Sequence, residues 1–162
     1  ELRFNRALTS VNLLYNELGD GAAAVVAAAK QQGKIKTLCG ITSGQAEVDL
    51  SSNTTRKVLR APDAVLLSFD LEFNRALKSA DFSYNDIGDE GAVAISAALE
   101  NNTTLTDLNL EASYGGVQIT ATGAQAIAKM LVVNRALTSL NLSWNEIGAG
   151  GAKAIAAALP QS

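Results

Sequence analysis

A chain of 162 residues with 48% hydrophobic and only 5% aromatic residues is about one domain long, and its alanine-rich composition suits small helices packed on strands rather than an aromatic-rich globule. A net charge of -3 argues against general nucleic-acid binding, which needs a basic footprint to displace counterions, and the absence of histidine removes the commonest general base and metal ligand. The single cysteine, Cys39, excludes an internal disulfide or cysteine-based zinc cluster and points to a reducing compartment, the cytoplasm, while no apolar run approaches the roughly 20 residues of a membrane span.

In chain order, Leu2 to Arg6 reads as the end of a helix and the loop into a strand, because similar strings recur from Leu71 to Leu77 and from Val132 to Leu137. The chain thus opens mid-repeat. From Ala7 to Ala29 comes a first full copy, with Leu8, Val11, Leu13, Asn16 and Leu18 in strand and turn places and Ala22, Val25 and Ala29 on an inward helix stripe. A second copy starts at Ile35 and departs from the pattern: Thr42 to Gln45 lead to another strand-like segment with Val48, Leu50 and Asn53. A basic loop from Thr54 to Pro62 then precedes a helix from Asp63 to Asn74, which a proline is suited to begin. Ile35 to Asn74 therefore reads as a strand that has lost its helix followed by a nearly normal repeat, a combination expected to bend or widen the stack.

The third copy, Ala76 to Asn102, is regular: Leu77, Ala80, Phe82, Asn85 and Ile87 keep the strand and turn spacing, and Ala92, Ile95 and Leu99 form the helix stripe. The fourth starts at Leu105 and carries an insert around Tyr114 to Gln118 before its helix resumes with Ala124, Ile127 and Leu131. The fifth, Ala136 to Leu159, is the clearest. Leu137, Leu140, Leu142, Asn145 and Ile147 follow L-x-x-L-x-L-x-x-N-x-L, and Ala152, Ile155 and Leu159 share one helix face.

A period of 28 residues in the regular part, the IGDEGA-type helix start and the N-R-A-L-T-S-L run make the chain resemble the ribonuclease-inhibitor-like subfamily of leucine-rich repeats, whose arrays are similar to those of NOD-like receptors and Ran GTPase-activating proteins. The resemblance implies an α/β fold: a right-handed solenoid with a parallel sheet on the concave face and helices on the convex face, here about five repeats with one irregular. Residues 1–162 are read as a single domain and a fragment of a longer array. Its ends carry no convincing polar caps, so end-to-end self-association is an expectation.

Register along each strand sorts outward residues into columns across the sheet. Asn12, Cys39, Asp49, Asp81, Asn109 and Asn141 form one; Ser10, Thr37, Glu47, Ser79, Asp107 and Ser139 another; Leu14, Ile41, Ser51, Ser83, Glu111 and Ser143 a third. The face so built carries Glu47, Asp49, Asp81, Asp107 and Glu111. It reads either as a site for a basic protein or peptide or as a solvated open sheet. A calcium or magnesium site on Asp49 and Asp81 lacks an oxygen-rich loop to complete it, so no metal or other cofactor is assigned.

A fourth column, beside the turn, holds Tyr15, Ser52, Tyr84, Ala112 and Trp144, whose aromatic members are either binding anchors or covers for the strand ends. Asn16, Asn53, Asn85 and Asn145 are expected to hydrogen-bond the turn between repeats. Arg6, Arg75 and Arg135 recur at one repeat place and read as structural. Arg56 and Arg60 interrupt the pattern on the strand-to-helix edge, where a basic loop could meet an acidic partner or a phosphate. The expected function is a non-enzymatic protein-interaction scaffold using the concave sheet and turn edge. The alternative is a small-GTPase regulator, either without chemistry of its own or supplying Arg56 or Arg60. No nucleic-acid or membrane partner is expected.

Overall fold

The computed structural model describes residues 7–159; the helix remnant expected at Leu2 to Arg6 and the chain end at Pro160 to Ser162 lie outside them. Alanine-rich segments with their apolar residues on one stripe form the long helices: α1 Gly21–Gln32, α3 Ala61–Phe73, α4 Gly88–Leu99, α5 Ala121–Val133 and α6 Gly148–Ala158. Four three-residue strands, β1 Glu47–Asp49, β2 Ser79–Asp81, β3 Asp107–Asn109 and β4 Ser139–Asn141, pair in parallel in the order β1-β2-β3-β4. The middle residue of each, Val48, Ala80, Leu108 and Leu140, is the least exposed of its strand or shares that place, so the strands turn one face to the helices and the other to solvent.

Helices α3 to α6 pack each on the next. Their stripes are closed: Ala64, Leu67 and Leu71 of α3 and Ala92, Ile95 and Leu99 of α4 are at most 1% exposed. The corresponding Ala152 of α6 and Leu159 at its C-cap are exposed, because no further helix covers that side among the described residues. From α4 to α6, close approach of each helix to the one before it requires glycine at one place. A Cβ on Gly91 would sit 2.8 Å from the Ala64 Cβ, and one on Gly151 2.7 Å from the Ala124 Cβ.

Turns are locked by asparagine, as expected at three of four places. The Asn85 amide donates to the carbonyls of Leu50, Phe82 and Ser83 and its oxygen accepts the Leu59 N–H, while Asn145 does the same for Leu110, Leu142, Ser143 and Ile119. Asn16 closes only on its own turn, at Leu13 and Leu14. Asn53 breaks the series. Ser51 caps a short helix, α2 Ser52–Thr55, which takes up the start of the expected loop and leaves Asn53 exposed.

The irregular second copy is where the stack is rebuilt. Its first segment forms isolated bridges with the first copy, Ser10 to Thr37 and Asn12 to Cys39, and α1 packs directly on α3. Thr37, Cys39 and Ile41, placed on the outward face by simple alternation, are all buried, at 4% each, and Leu14 is buried as well. The cause is α3. It carries Asp63 where the other helices have Gly91, Gly123 and Gly151, and Asp70 where they have Ala98, Met130 and Ala158. Both acids are buried on the side toward the first copy. Asp63 accepts the amides of Tyr15 (2.7 Å) and Arg60 (3.0 Å). Asp70 accepts the Thr37 hydroxyl (2.5 Å) and the amides of Leu38 (2.7 Å) and Cys39 (3.3 Å). Asp70 thus satisfies backbone groups in the irregular copy, where a solenoid strand without its own helix would leave them unpaired, and Asp63 ties the turn of the first copy to the start of α3.

Candidate functional site

Strands β1 to β3, with Glu111 just beyond the end of β3, bring the five predicted carboxylates onto one face. Along the first row Glu47 faces Ser79 and Ser79 faces Asp107, so these two acids lie two strands, or about 9.6 Å, apart. In the next row Asp49 and Asp81 are direct neighbours. Two charges about 5 Å apart across water repel by only about 1 kcal/mol.

That repulsion is offset locally. Asp49 accepts the Ser51 N–H (2.9 Å) and the Thr54 hydroxyl (2.8 Å), and Asp81 accepts the Ser83 N–H (2.9 Å). The hydroxyls of Ser51 and Thr54, with the Ser51 amide, hold the Asp49 carboxyl below its ordinary range. Asn12, Asn109 and Asn141 accept the amide two residues on in the same way. Apart from Cys39, the column is a set of Asx turns ending the strands, a local role that strand alternation alone did not reveal.

The acids are nevertheless not neutralised. Among the described residues the ion pairs are Lys30 with Glu72 and Arg60 with Glu17, and neither involves the sheet face. Glu111 accepts the Asn141 side-chain amide (3.1 Å). Its charge raises the Tyr84 phenol above its ordinary value, with desolvation, a hydrogen bond to Glu111 and the charge of Asp81 adding to the effect.

Tyr15, Tyr84 and Trp144 share a second property: each has φ between 59° and 63°, the left-handed region, where a bulky side chain costs about 1–2 kcal/mol and asparagine or glycine would be cheaper. Their exposures then diverge. Trp144 is 64% exposed. Tyr84 is half-buried beside Glu111. Tyr15 is not the open anchor expected from its place: the Lys57 ammonium lies 5.0 Å from its ring centroid and its hydroxyl is enclosed beside Thr55, so the basic loop covers it.

Tyr15 is instead brought together with the two predicted arginines. Arg56, Arg60, Lys57, Val58 and Tyr15 line a cleft of about 610 Å³ on the strand-to-helix edge. Arg60 is tied to Glu17 at 2.9 Å, whereas Arg56, at φ 55°, ends α2 with its guanidinium in no ion pair among the described residues. This basic edge is separate from the acidic sheet face. Sequence columns also missed Tyr114 and Val117, 92% and 58% exposed, in the insert of the fourth copy. The only signal for them was the insert's break of the period. Among the described residues no group of three or more His, Cys, Asp or Glu side chains is placed to hold a metal ion, and no helix is long and apolar enough to cross a membrane.

Known proteins give this geometry a context. The profile of the Leucine Rich repeat family matches residues 73–96 and 133–156. The ribonuclease inhibitor of Sus scrofa is 30% identical over 162 residues, 99% of this chain and 32% of that protein. The NACHT, LRR and PYD domains-containing protein 5 of Homo sapiens is 42% identical over 77 residues, 47% of this chain and 6% of that protein. The chain therefore spans about a third or less of the length of these relatives. Among solved structures, leiomodin-1 actin-binding site 2 superposes with a TM-score of 0.63 at 24% identity, covering 88% of this chain and 73% of that one. The tropomodulin C-terminal domain of Caenorhabditis elegans gives 0.52 at 12% identity, covering 97% and 85%. These two likenesses speak for the fold alone. Together with the repeat spacing and the strand-turn-helix stack, the family match and the sequence relatives support an array of leucine-rich repeats similar to that of the ribonuclease inhibitor.

Proposed function

We propose that this chain is a non-catalytic protein-interaction scaffold that binds a basic protein segment across its sheet face and adjoining turn edge. The observation that carries the reading is a face with five carboxylates, none of them in an ion pair among the described residues, bordered by Tyr84 and the exposed Trp144. Such a face attracts cations from a distance, and exposed aromatic side chains supply contact area at low rotamer cost. No cofactor enters this reading.

The Asx turns shape the test. Replacing Asp49 and Asp81 by asparagine removes charge while keeping an acceptor for the amide two residues on, as Asn109 and Asn141 already do. A random peptide library panned on the immobilised chain is expected to enrich lysine- and arginine-rich sequences, and their binding should weaken with salt and with the quadruple change Glu47→Gln, Asp49→Asn, Asp81→Asn, Asp107→Asn. Enrichment of uncharged or acidic peptides, or binding indifferent to the quadruple change, overturns the proposal.

A second reading, a regulator of a small GTPase, rests on the unpaired Arg56 at the edge cleft. It predicts that the chain accelerates GTP hydrolysis by a purified small GTPase and that Arg56→Ala abolishes the effect. Unchanged hydrolysis across a panel of such GTPases removes it.

A further inference from the structure

Where the second copy has lost its helix, a groove opens at the helix-to-strand edge, lined by residues other than those of the acidic sheet face. In the regular repeats, the asparagine after each helix reaches back to the preceding helix: Asn102 donates to the Leu71 carbonyl and Asn134 to that of Leu99. Asn74, which follows α3, does not reach back to α1 and donates to the Thr42 carbonyl of the irregular segment instead. Between the C-terminal ends of α1 and α3 a space of about 420 Å³ remains. That volume falls within the range of about 300–1,000 Å³ typical of ligand-binding clefts.

The chemistry of its lining is specific. Ala29, Ile35, Ile41 and Phe69 give an apolar floor, and Phe73, stacked on Phe69 at 4.8 Å between centroids, is 47% exposed. Lys30, Lys36 and Arg75 stand around it. Lys30 is already matched by Glu72 and lies 5.9 Å from the Phe73 ring centroid. Lys36 and Arg75 are exposed and have no carboxylate partner among the described residues. An apolar slot with two unmatched cations, on a chain of net charge -3, complements one kind of partner.

We propose that this groove docks an acidic protein segment that inserts a phenylalanine- or leucine-type side chain against Phe69 and Phe73 and places carboxylates on Lys36 and Arg75. The site shares no residue with the acidic sheet face and selects the opposite charge, so the array would hold two partners, or two parts of one.

The test uses a fluorescein-labelled acidic peptide, EELFEEL, and its basic counterpart, KKLFKKL, in fluorescence polarisation against the full chain. The acidic peptide is expected to bind saturably, to weaken by about tenfold or more on Lys36→Glu plus Arg75→Glu, and to be unaffected by Glu47→Gln plus Asp107→Asn. Both groove residues are exposed, and unchanged thermal melting by circular dichroism establishes that the variant is folded. Failure of the acidic peptide to bind, or equal affinity for the parent chain and the folded groove variant, overturns the proposal. A dimer in light scattering that Lys36→Glu plus Arg75→Glu dissolves also overturns it, by placing a second copy in the groove. Because the sheet-face variants are read with the basic peptide in parallel, failure here is distinguishable from failure of the sheet-face reading.

Discussion

Asp70→Ala tests how the irregular repeat is held. The carboxylate is 1% exposed and accepts the Thr37 hydroxyl and the Leu38 and Cys39 amides. Truncation leaves the Leu38 amide without a partner and the Cys39 amide with only the Thr37 hydroxyl oxygen at 3.2 Å, in a segment that has no helix of its own. At about 1–3 kcal/mol for the stranded Leu38 amide, and about 1 kcal/mol each for the rotatable Thr37 hydroxyl and the lost Cys39 bond, the loss comes to about 3–5 kcal/mol. That is a large fraction of the roughly 5–15 kcal/mol that holds a domain together. Because a solenoid can open repeat by repeat, the loss should appear first between the first copy and α3 rather than as uniform unfolding. Urea unfolding followed by circular dichroism should show a lowered midpoint or a new early transition, and hydrogen exchange should show lost protection at Leu38 and Cys39. A change under about 1 kcal/mol with those two amides still protected would refute the reasoning. So would an equal loss from Ala98→Gly, the matching place in α4, where no carboxylate bonds exist.

Other perturbations separate structural from exposed groups. Asn85→Ala should cost about 3 kcal/mol by urea titration, because four hydrogen bonds meet on a buried side chain, while Asn53→Ala should stay within about 0.5 kcal/mol; equal effects would contradict the turn assignment. Gly91→Ala should lower stability by about 1 kcal/mol or more despite the better helix propensity of alanine, since the added Cβ meets the Ala64 Cβ at 2.8 Å, and a raised melting temperature would show that α3 and α4 can separate freely. Cys39 is buried, and burial, then the charges of Asp70 and Asp63, push its thiol well above its ordinary value; a thiol reagent should label it only after unfolding, and fast native labelling would argue for an open irregular segment. Burial pushes the Asp89 carboxyl up, but the Thr120 hydroxyl and amide and the Gly123 amide outweigh it and hold it below 3.8. A carboxyl depressed on folding contributes stability above its unfolded value that is lost as pH falls through the folded one, so the advantage of the parent chain over Asp89→Asn should shrink on acidification below about pH 4. An advantage that grows on acidification would reverse the assignment. Asp70 runs the other way: burial pushes it up despite its hydrogen-bond donors, and its contribution is fully present below 3.8 and declines as pH rises through the folded value.

What the sequence determined by itself was the repeat. Leu77, Phe82, Asn85, Ala92, Ile95 and Leu99 announce strand, turn and helix because each repeat contacts only its neighbours, so local spacing carries the fold, and the acids on β1 to β3 could be placed on one face by counting alternate residues. The same counting put Cys39 and Ile41 outside and Tyr15 in the open, and all three are covered. Their surroundings are made by groups distant in the chain: Asp70 drawing in the segment that holds Cys39 and Ile41, and Lys57 and Thr55 lying over Tyr15. Two aspartates in an apolar stripe, at places that are glycine, alanine or methionine elsewhere, were visible as letters but not as anchors. Only the tertiary structure decided that, because an acceptor is worth burying only where donors from another segment arrive to meet it, and the loss of one helix is what brought them there.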